Sequence, residues 1–283
     1  MEESKAKQWS VGRFDFSLPE QFILAGRNQS IYTVKAETRQ YSDQSPATLW
    51  QLYLKKITAE NVSQENPEVI VWQEELSPGF NVASYRTDMD LEVITYTAQK
   101  AYEDEILVLT CEGKIGFEED ILHLIKFTAQ GYKTGVFNGF NVGAGSIISQ
   151  PSVFEQAFAS FENPLLNMEV SFNSQTVGEI LNDHPLEDVQ FEKKSLSADG
   201  IMLNVLQNDK RNLANIPGYE GLVTVDFPED ESVFRYTWFH EGVPGDSFKP
   251  EILVKMSGPA KHLELAGKTW EALLNSFMVR AMY

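Results

Sequence analysis

Histidine, serine and acidic residues are the side chains of this sequence that could perform acid–base or nucleophilic chemistry. The histidines are His123, His184, His240 and His262. No two of them have the spacing of a zinc site such as His-Glu-x-x-His. His123 and His240 each follow an apolar residue, and such a position favours a structural histidine over a catalytic one. We therefore expect no metal ion and no cofactor.

The segment 245–248, Gly-Asp-Ser-Phe, resembles the nucleophile block of one class of esterases. In that class the serine lies near the N-terminus, and Asp-x-x-His follows near the C-terminus. Here the block lies late in the chain, and Pro259 stands where the aspartate would precede His262. There is also no Gly-x-Ser-x-Gly elbow. A hairpin loop is the favoured interpretation, and a hydrolase that uses Ser247 or a pair of carboxylates is the enzymatic alternative.

A glycine-rich segment and the single cysteine could suggest phosphate binding and thiol chemistry. Gly-Ala-Gly-Ser at 143–146 is glycine-rich, but it lacks the third glycine of a dinucleotide fingerprint and the Gly-Lys-Ser/Thr of a P-loop. A strand bend or tight packing explains it better. The single cysteine, Cys111, excludes an intramolecular disulfide, and its apolar neighbours predict a buried, unreactive thiol.

Composition limits the classes of partner. The 283 residues include 41 acidic and 23 basic side chains, which gives a net charge of −18. This charge argues against nucleic acid and anionic membranes, and it fits high solubility or a basic partner. No apolar run is long enough to span a membrane. The first residues are polar and carry no signal peptide, so the protein is cytoplasmic or the sequence begins after a removed signal.

The periodicity of the first half predicts strands and two helices. Alternating Phe14, Phe16 and Leu18 indicate a strand that ends at Pro19. Further strands are expected at 31–36 (after a turn at 26–28), 68–73, 82–85, 91–97 and 105–111. One helix begins at Ser45-Pro46 and carries an apolar face of Leu49, Leu52, Tyr53 and Ile57. A second begins at Glu118, buries Ile121, Leu124, Ile125 and Thr128, and ends at Gly131.

The second half predicts a helix first and strands later. Ser152 and Glu155 form a capping box before the helical spacing of Phe154, Ala157, Phe158 and Phe161. A helix or turn is expected at 176–181, and strands at 168–172, 221–227, 232–241 and 251–256. The last helix has an apolar stripe of Trp270, Leu273, Leu274, Phe277 and Met278.

A short repeat bears on domain organisation. Glu-Ile-Leu-Val occurs at 105–108 and at 251–254, and each copy precedes a loop and an amphipathic helix. This shared order favours duplication of an α+β unit. We predict the α+β class, with two domains at 1–132 and 133–283, each a mainly antiparallel sheet covered by helices.

Several segments, in order along the chain, resemble the immunity proteins that Gram-negative bacteria keep against lipase effectors of type VI secretion systems. Val-Gly-Arg-Phe-Asp-Phe-Ser-Leu-Pro-Glu at 11–20 is similar to the start of that family. Gly-Phe-Asn-Val-Gly-Ala-Gly-Ser-Ile-Ile at 139–148 resembles the start of its C-terminal domain, without its frequent Cys and Gly-Phe-Ile. Gly-Tyr-Glu-Gly at 218–221, Phe-Arg-Tyr-Thr-Trp at 234–238 and Lys-Pro-Glu-Ile-Leu-Val at 249–254 resemble its Gly-x-Glu, Phe-x-Trp and Pro-entered strand.

The resemblance implies a non-catalytic protein whose two domains grip a secreted lipase or phospholipase effector and block the access of substrate to its active site. It also implies a one-to-one complex and action in the periplasm. The alternative function is that of a non-catalytic interaction protein of the cell envelope.

Acidic and aromatic loop residues are the candidate contacts with such a partner, because loop carboxylates favour a basic partner and aromatic rings act as anchors. We expect contacts from the loops 228–231 and 242–247 and from the segment before the first helix. The candidate residues are Tyr41, Asp43, Glu229, Asp230, Glu231 and Asp246.

Overall fold

The computed structural model describes residues 5–40, 45–76, 80–87, 90–102, 105–134, 139–143, 145–147, 154–178 and 200–280. Over these residues the chain is α+β, as predicted, with mostly antiparallel strands and three α-helices. Contacts divide the chain into two compact units. Unit 1 combines Met1–Arg27 with Gln150–Tyr283, and unit 2 is Asn28–Ser149.

The first strands form a hairpin in unit 1. β1 (Ala6–Val11) pairs antiparallel with β2 (Phe14–Pro19). Gly12 opens the turn between them at a φ of 56°, a left-handed conformation that favours glycine. Phe14, Phe16 and Leu18 are buried and alternate with half-buried residues, which confirms the predicted strand. The next strand, β3 (Ile23–Ile31), contains the boundary between the units.

Unit 2 is built on one antiparallel sheet with two helices. Its remaining elements are β4 (Val34–Gln40), α1 (Pro46–Asn61), β5 (Ile70–Leu76), β6 (Phe80–Arg86), β7 (Val93–Tyr102), β8 (Glu105–Lys114), α2 (Glu118–Gly131), β9 (Tyr132–Thr134), β10 (Phe140–Val142) and β11 (Gly145–Ile147). The main sheet of the unit has the order β3–β4–β8–β7–β6–β5, and a small sheet has the order β10–β11–β9. These strands and both helix starts agree with the predicted elements between 45 and 131.

Each face of the main sheet in unit 2 is covered by a helix. The hydroxyls of Tyr53 on α1 and Thr97 on β7 are 3.1 Å apart, whereas α2 packs closely on Gly113 of β8. Gly113 pairs with Ile94 of β7, and Ile94 and Thr97 face opposite sides because side chains alternate along a strand. Coverage of both faces explains why residues 106–109 are buried without alternation.

The later elements of unit 1 form its own six-stranded sheet. They are β12 (Glu155–Asn163), β13 (Met168–Gln175), β14 (Met202–Lys210), β15 (Tyr219–Asp226), β16 (Val233–His240), β17 (Glu251–Pro259), a 3-10 turn (Ala260–His262), α3 (Leu263–Asn275) and β18 (Met278–Val279). The long strands have the order β14–β15–β16–β17–β13–β12, all antiparallel, and β18 pairs with β2. The strands predicted at 168–172, 221–227, 232–241 and 251–256 are confirmed. The last helix is confirmed as far as Asn275, but Phe277 follows the helix, and Met278, which was assigned to its apolar stripe, lies in β18 and is 51% exposed.

Aromatic rings join the N-terminal hairpin to this sheet. The ring centroids of Phe14 and Phe16 lie 5.4 and 5.6 Å from that of Phe172 on β13. Phe277, which follows α3, lies 5.3 Å from Phe14. All four side chains are buried, and tilted or offset aromatic pairs add to the free energy gained from burial alone. The hairpin therefore completes the core of unit 1.

A buried ion pair fixes the turn of the hairpin. Arg13 Nε and Nη2 donate to Glu155 Oε2 and Oε1 at 2.6 and 2.7 Å, and the two side chains are 3% and 4% exposed. The Arg13 guanidinium also lies 4.0 Å from the ring centroid of Phe248. The backbone N–H of Glu155 donates to Thr176 Oγ1 at 3.0 Å. Because a bidentate pair is directional, it sets the position of the turn on β12.

Residues 155–163 form a strand, so the helix predicted there is wrong. Ala157, Ala159 and Phe161 are fully buried, whereas Phe158 is 38% exposed, which is the alternation of a strand. Pairing with β13 along the whole length of β12 outweighs the helical spacing of the apolar residues. Glu155 binds Arg13 instead of capping a helix, and Ser152 lies outside the described residues.

Helix α1 begins as predicted, and its predicted inner face is confirmed in part, because Ile57 is buried and Leu49 and Tyr53 are half-buried. Ser45 Oγ accepts the N–H of Thr48 at 3.2 Å, and proline is the first helical residue. Trp50 and Leu54 are buried, whereas Leu52, which was assigned to the inner face, is 45% exposed. The tryptophan, with its larger apolar surface, sets the rotation of the helix on the sheet.

The strand predicted over 31–36 is two strands joined by a turn. Tyr32 has a φ of 52° and ends β3, and β4 begins at Val34. Residues 26–28, predicted as a turn, lie inside β3. Most of the helix or turn predicted over 176–181 lies outside the described residues.

The compact units divide the chain differently from the consecutive domains expected at 1–132 and 133–283. The cause is the N-terminal hairpin, whose apolar face and Arg13 pack on residues that follow 150. The two Glu-Ile-Leu-Val copies do begin β8 and β17, and a helix follows each strand. The domain bounds and the duplication of an α+β unit both stay predictions.

We expect the variant Arg13→Met to lose about 3–5 kcal/mol of unfolding free energy, because it removes the guanidinium that neutralises the buried carboxylate of Glu155. Urea denaturation measures the loss. The double variant Arg13→Met/Glu155→Met removes both charges and should recover most of it. The control Lys268→Met breaks an exposed pair with Glu264 and should cost less than about 1 kcal/mol. Equal losses for Arg13→Met and Lys268→Met would contradict the role given to the buried pair.

Candidate functional site

The two loops expected to contact a partner lie at opposite ends of β16. Loop 228–231 joins β15 to β16, and loop 242–247 lies between β16 and β17. β16 has 8 residues, so its ends are about 25 Å apart at the usual rise of a strand. The two loops therefore form two separate surfaces. Tyr41 and Asp43, the other predicted contacts, lie outside the described residues.

Loop 242–247 is held by its own hydrogen bonds. Asp246 Oδ1 accepts the N–H of Phe248 at 2.9 Å, and the Asp246 carbonyl accepts the N–H of Lys249 at 3.1 Å. The N–H of Val243 donates to the Lys249 carbonyl at 2.7 Å. Ser247 is fully buried. The half-buried carboxylate of Asp246 thus stabilises the conformation of the loop.

A small cavity of about 250 Å³ lies beside this loop and is lined in part by His240. Nδ1 of His240 lies 2.8 Å from the Pro217 carbonyl oxygen, which can only accept, so Nδ1 carries the hydrogen. Nε2 is buried and has no hydrogen-bond partner among the described residues. Burial lowers the pKa of His240 from its ordinary value of 6.5. The imidazole is therefore neutral at neutral pH.

The positions of the described residues give no support to the form of the hydrolase alternative that uses Ser247. Ser247 does not line the cavity of His240. His262 lies beyond the far end of β17, because His240 pairs with Ile252 near the start of that strand and the strand ends at Pro259. Within the same described residues, no group of three His, Cys, Asp or Glu side chains could hold a metal ion.

The opposite end of β16 borders a groove of about 660 Å³ that we call the acidic groove. Its charged lining residues are Glu162, Glu169, Glu231 and Arg235. Glu231 was predicted as a contact residue, and Glu229 and Asp230 precede it as exposed residues. Glu231 Oε1 lies 2.7 Å from Lys261 Nζ, in a pair whose side chains are 50% and 60% exposed.

Strand register brings the charges of the acidic groove into one row. Glu162 of β12 is directly opposite Glu169 of β13, and Glu169 is opposite Ser257 of β17. Ser257 is in turn opposite Arg235 of β16. Residues that are directly opposite in an antiparallel pair share a face, with Cβ atoms about 5 Å apart. Two carboxylates and one guanidinium thus follow one line across four strands.

Sequence analysis missed Glu162 and Glu169. Their proximity depends on the turn between β12 and β13, and that region was assigned to the end of a helix. The signal that could have revealed it is Asn163-Pro164, because an Asn-Pro pair between alternating apolar residues is also typical of a hairpin turn. Leu165, in that turn, is 85% exposed.

Unit 2 presents a second surface that the sequence analysis did not identify. Ile115 and Phe117, between β8 and α2, are 45% and 58% exposed. The N–H of Gly116 donates to Glu118 Oε2 at 2.8 Å, which orders the loop. An ordered loop with an exposed aromatic ring has the properties of an interface anchor.

The other chemically notable residues have structural roles. Cys111 is buried, as predicted, with its sulfur 3.3 Å from Thr33 Oγ1, and burial raises the pKa of the thiol. Gly143, at a φ of 63°, lies in the turn between β10 and β11, where a Cβ atom would meet Thr38. The glycine-rich segment is therefore a strand bend with tight packing. Among the residues that the structure describes, no helix is long and apolar enough to cross a membrane.

Comparisons with solved structures identify the fold. A chain of the crystal structure of the Tle4–Tli4 complex is similar over 100% of both chains, with a TM-score of 0.80 and 14% identity. The apo immunity protein TplEi of the T6SS of Pseudomonas aeruginosa is similar over 98% of both chains, with a TM-score of 0.79 and 14% identity. TplEi complexed with the "L" peptide matches at a TM-score of 0.75 and 15% identity, over 99% of this chain and 100% of that one. No family model and no curated protein matches.

We expect His240 to make stability depend on pH. Its pKa is lowered by folding, so the unfolded chain takes up a proton at a higher pH than the folded chain. The contribution of His240 to stability is then complete above about pH 6.5 and is lost as pH falls from there through the lowered pKa. NMR titration of the imidazole, with urea unfolding over the same range, measures both effects. A folded-state pKa at or above the ordinary value, or an unchanged pH dependence in His240→Gln, would contradict this expectation.

Proposed function

We propose that this chain is an immunity protein that binds a lipase or phospholipase effector of a type VI secretion system and blocks the access of substrate to its active site. The observation that carries the proposal is the likeness in fold over the whole chain to TplEi, which is named as an immunity protein of the T6SS. The first and third matches come from a complex with Tle4 as a partner and from a complex with a peptide. Both favour binding of a protein ligand by this fold.

The proposed mechanism is steric and not catalytic. Support comes from the positions of Ser247, which is fully buried, and of His240 and His262, which β17 holds apart. Two acidic or aromatic surfaces are well placed to contact a protein: the acidic groove with loop 228–231, and the loop of Phe117. We further propose that the protein works as a monomer in a one-to-one complex in the periplasm, as the family resemblance implies.

Co-purification with the lipase encoded by the neighbouring gene tests this function. We expect a one-to-one complex by light scattering and loss of phospholipase activity at equimolar inhibitor. A lipase inactivated at its nucleophile should bind equally well, because binding does not require turnover. If no complex forms and the lipase keeps its activity, the immunity function is refuted for this pair, and the cell-envelope interaction protein becomes the better hypothesis.

The predicted contact loop can be tested by charge reversal. We expect Glu229→Lys/Asp230→Lys to slow association with the effector about tenfold at low salt, with a smaller effect at high salt, because exposed interface charges act mainly on the on-rate. Glu231 is left unchanged since it pairs with Lys261. The matched control is Glu74→Lys/Glu75→Lys, an adjacent exposed pair on β5 with the same change in charge. Equal on-rates for the two variants, measured by surface plasmon resonance, would exclude the loop from the interface.

A further inference from the structure

The loop between β8 and α2 exposes two apolar side chains that are one residue apart. Ile115 and Phe117 are 45% and 58% exposed, and Phe117 is the most exposed phenylalanine of the described residues. Gly116 lies between them at a φ of 102°, and a Cβ atom there would meet nothing within 4 Å. The loop therefore borders open space at its middle residue.

Backbone hydrogen bonds hold both apolar residues in place. The N–H of Ile115 donates to the Glu92 carbonyl at 2.9 Å, and the N–H of Phe117 donates to the Lys114 carbonyl at 3.2 Å. The Phe117 carbonyl in turn accepts the N–H of Ile121 at 3.1 Å. A partner would therefore meet the two side chains on an ordered backbone, which reduces the entropy lost on binding.

The residue type at position 117 is not the one that the start of a helix favours. Phe117 is the N-cap of α2, and no side chain caps the helix there. Serine, threonine, aspartate and asparagine are preferred at this position because their side-chain oxygen accepts a backbone N–H. Phenylalanine offers no acceptor, and its ring is not buried. Neither helix capping nor core packing explains Phe117, whereas an aromatic contact with another molecule does.

The charges around the two apolar residues indicate the charge of the partner. Glu92, Glu119 and Asp120 are exposed, and they form no ion pair with the residues that the structure describes. Glu118 is half-buried, and Lys114 is the exposed basic residue of this segment. The excess of carboxylates disfavours an anionic lipid surface and favours a partner with basic residues around the apolar contact.

We propose that Phe117, together with Ile115, anchors unit 2 in an apolar pocket of the effector whose rim carries lysine or arginine. The inference rests on the proposed function for the identity of the partner. An enzyme that binds acyl chains needs apolar concave surface to do so, and such a surface fits exposed apolar side chains. The aromatic ring supplies most of the binding energy, and the carboxylates around it speed association with the basic rim.

Binding kinetics with the effector test the anchor. We expect Phe117→Ala to raise the Kd about 30-fold and Ile115→Ala about fivefold, mainly through faster dissociation. Glu119→Lys/Asp120→Lys should instead act mainly on the rate of association. The matched control is Leu52→Ala on α1, because Leu52 is 45% exposed, as Ile115 is. This control should change the Kd less than about twofold.

The variant Phe117→Ser separates binding from stability. Serine supplies a side-chain oxygen at the start of α2, so we expect an unchanged or higher Tm together with the same loss of affinity as in Phe117→Ala. Thermal unfolding followed by circular dichroism measures the Tm. A lower Tm that accompanies the loss of affinity would assign Phe117 a structural role and overturn the proposal.

The other possible occupants of this surface are a second copy of the chain and a lipid bilayer. We expect the free chain to be a monomer by light scattering and not to sediment with vesicles of phosphatidylcholine or phosphatidylglycerol. A dimer or a vesicle complex that Phe117→Ser abolishes would overturn the proposal. If the wild-type chain forms no complex with the effector, the proposed function is refuted and this inference with it. A wild-type complex with unchanged kinetics in both Phe117 variants would refute the inference alone.

Discussion

The ion pair between Arg13 and Glu155 is the interaction on which the organisation of unit 1 depends. It joins a turn near the N-terminus to the first residue of β12, 142 positions later, and both side chains are buried. Two charges removed from water are costly unless they are paired, so the pair favours this position of the hairpin. Phe248 stacks on the same guanidinium, and loop 242–247 is therefore anchored to the hairpin turn. The Arg13 side chain thus contacts both the first residue of β12 and the end of loop 242–247.

The rest of unit 1 follows from that position. With the hairpin fixed, Phe14 and Phe16 meet Phe172 and Phe277, and these rings fill the inner face of the sheet. The polar residues that line the acidic groove lie at one end of this sheet. Pairing among β12, β13, β17 and β16 holds them in register. A surface that is preorganised in this way loses little side-chain and loop entropy on binding.

Local patterns predicted most elements, and distant contacts decided the rest. Alternation revealed β2, and a serine cap before proline revealed α1, because both signals lie within a few residues. The apolar residues around Phe158 fit a helix and a strand equally, and only the pairing with β13 selects the strand. The partner of Arg13 could not be inferred because nothing near residue 13 indicates residue 155. For the same reason composition does not indicate that the N-terminal hairpin packs on residues that follow 150.

The candidate site shows the same limit of prediction from local sequence patterns. Glu231 was identifiable because it belongs to a continuous acidic loop, whereas the opposition of Glu162 and Glu169 arises only from strand register. A fold selected for stability alone would place opposite charges, or none, at a directly opposed exposed pair. The two carboxylates repel each other in the free protein, which opposes the pairing of β12 with β13. This local disagreement between charge pattern and strand pairing arises from residues brought together by the register of β12 and β13, so no local pattern of the sequence indicates it.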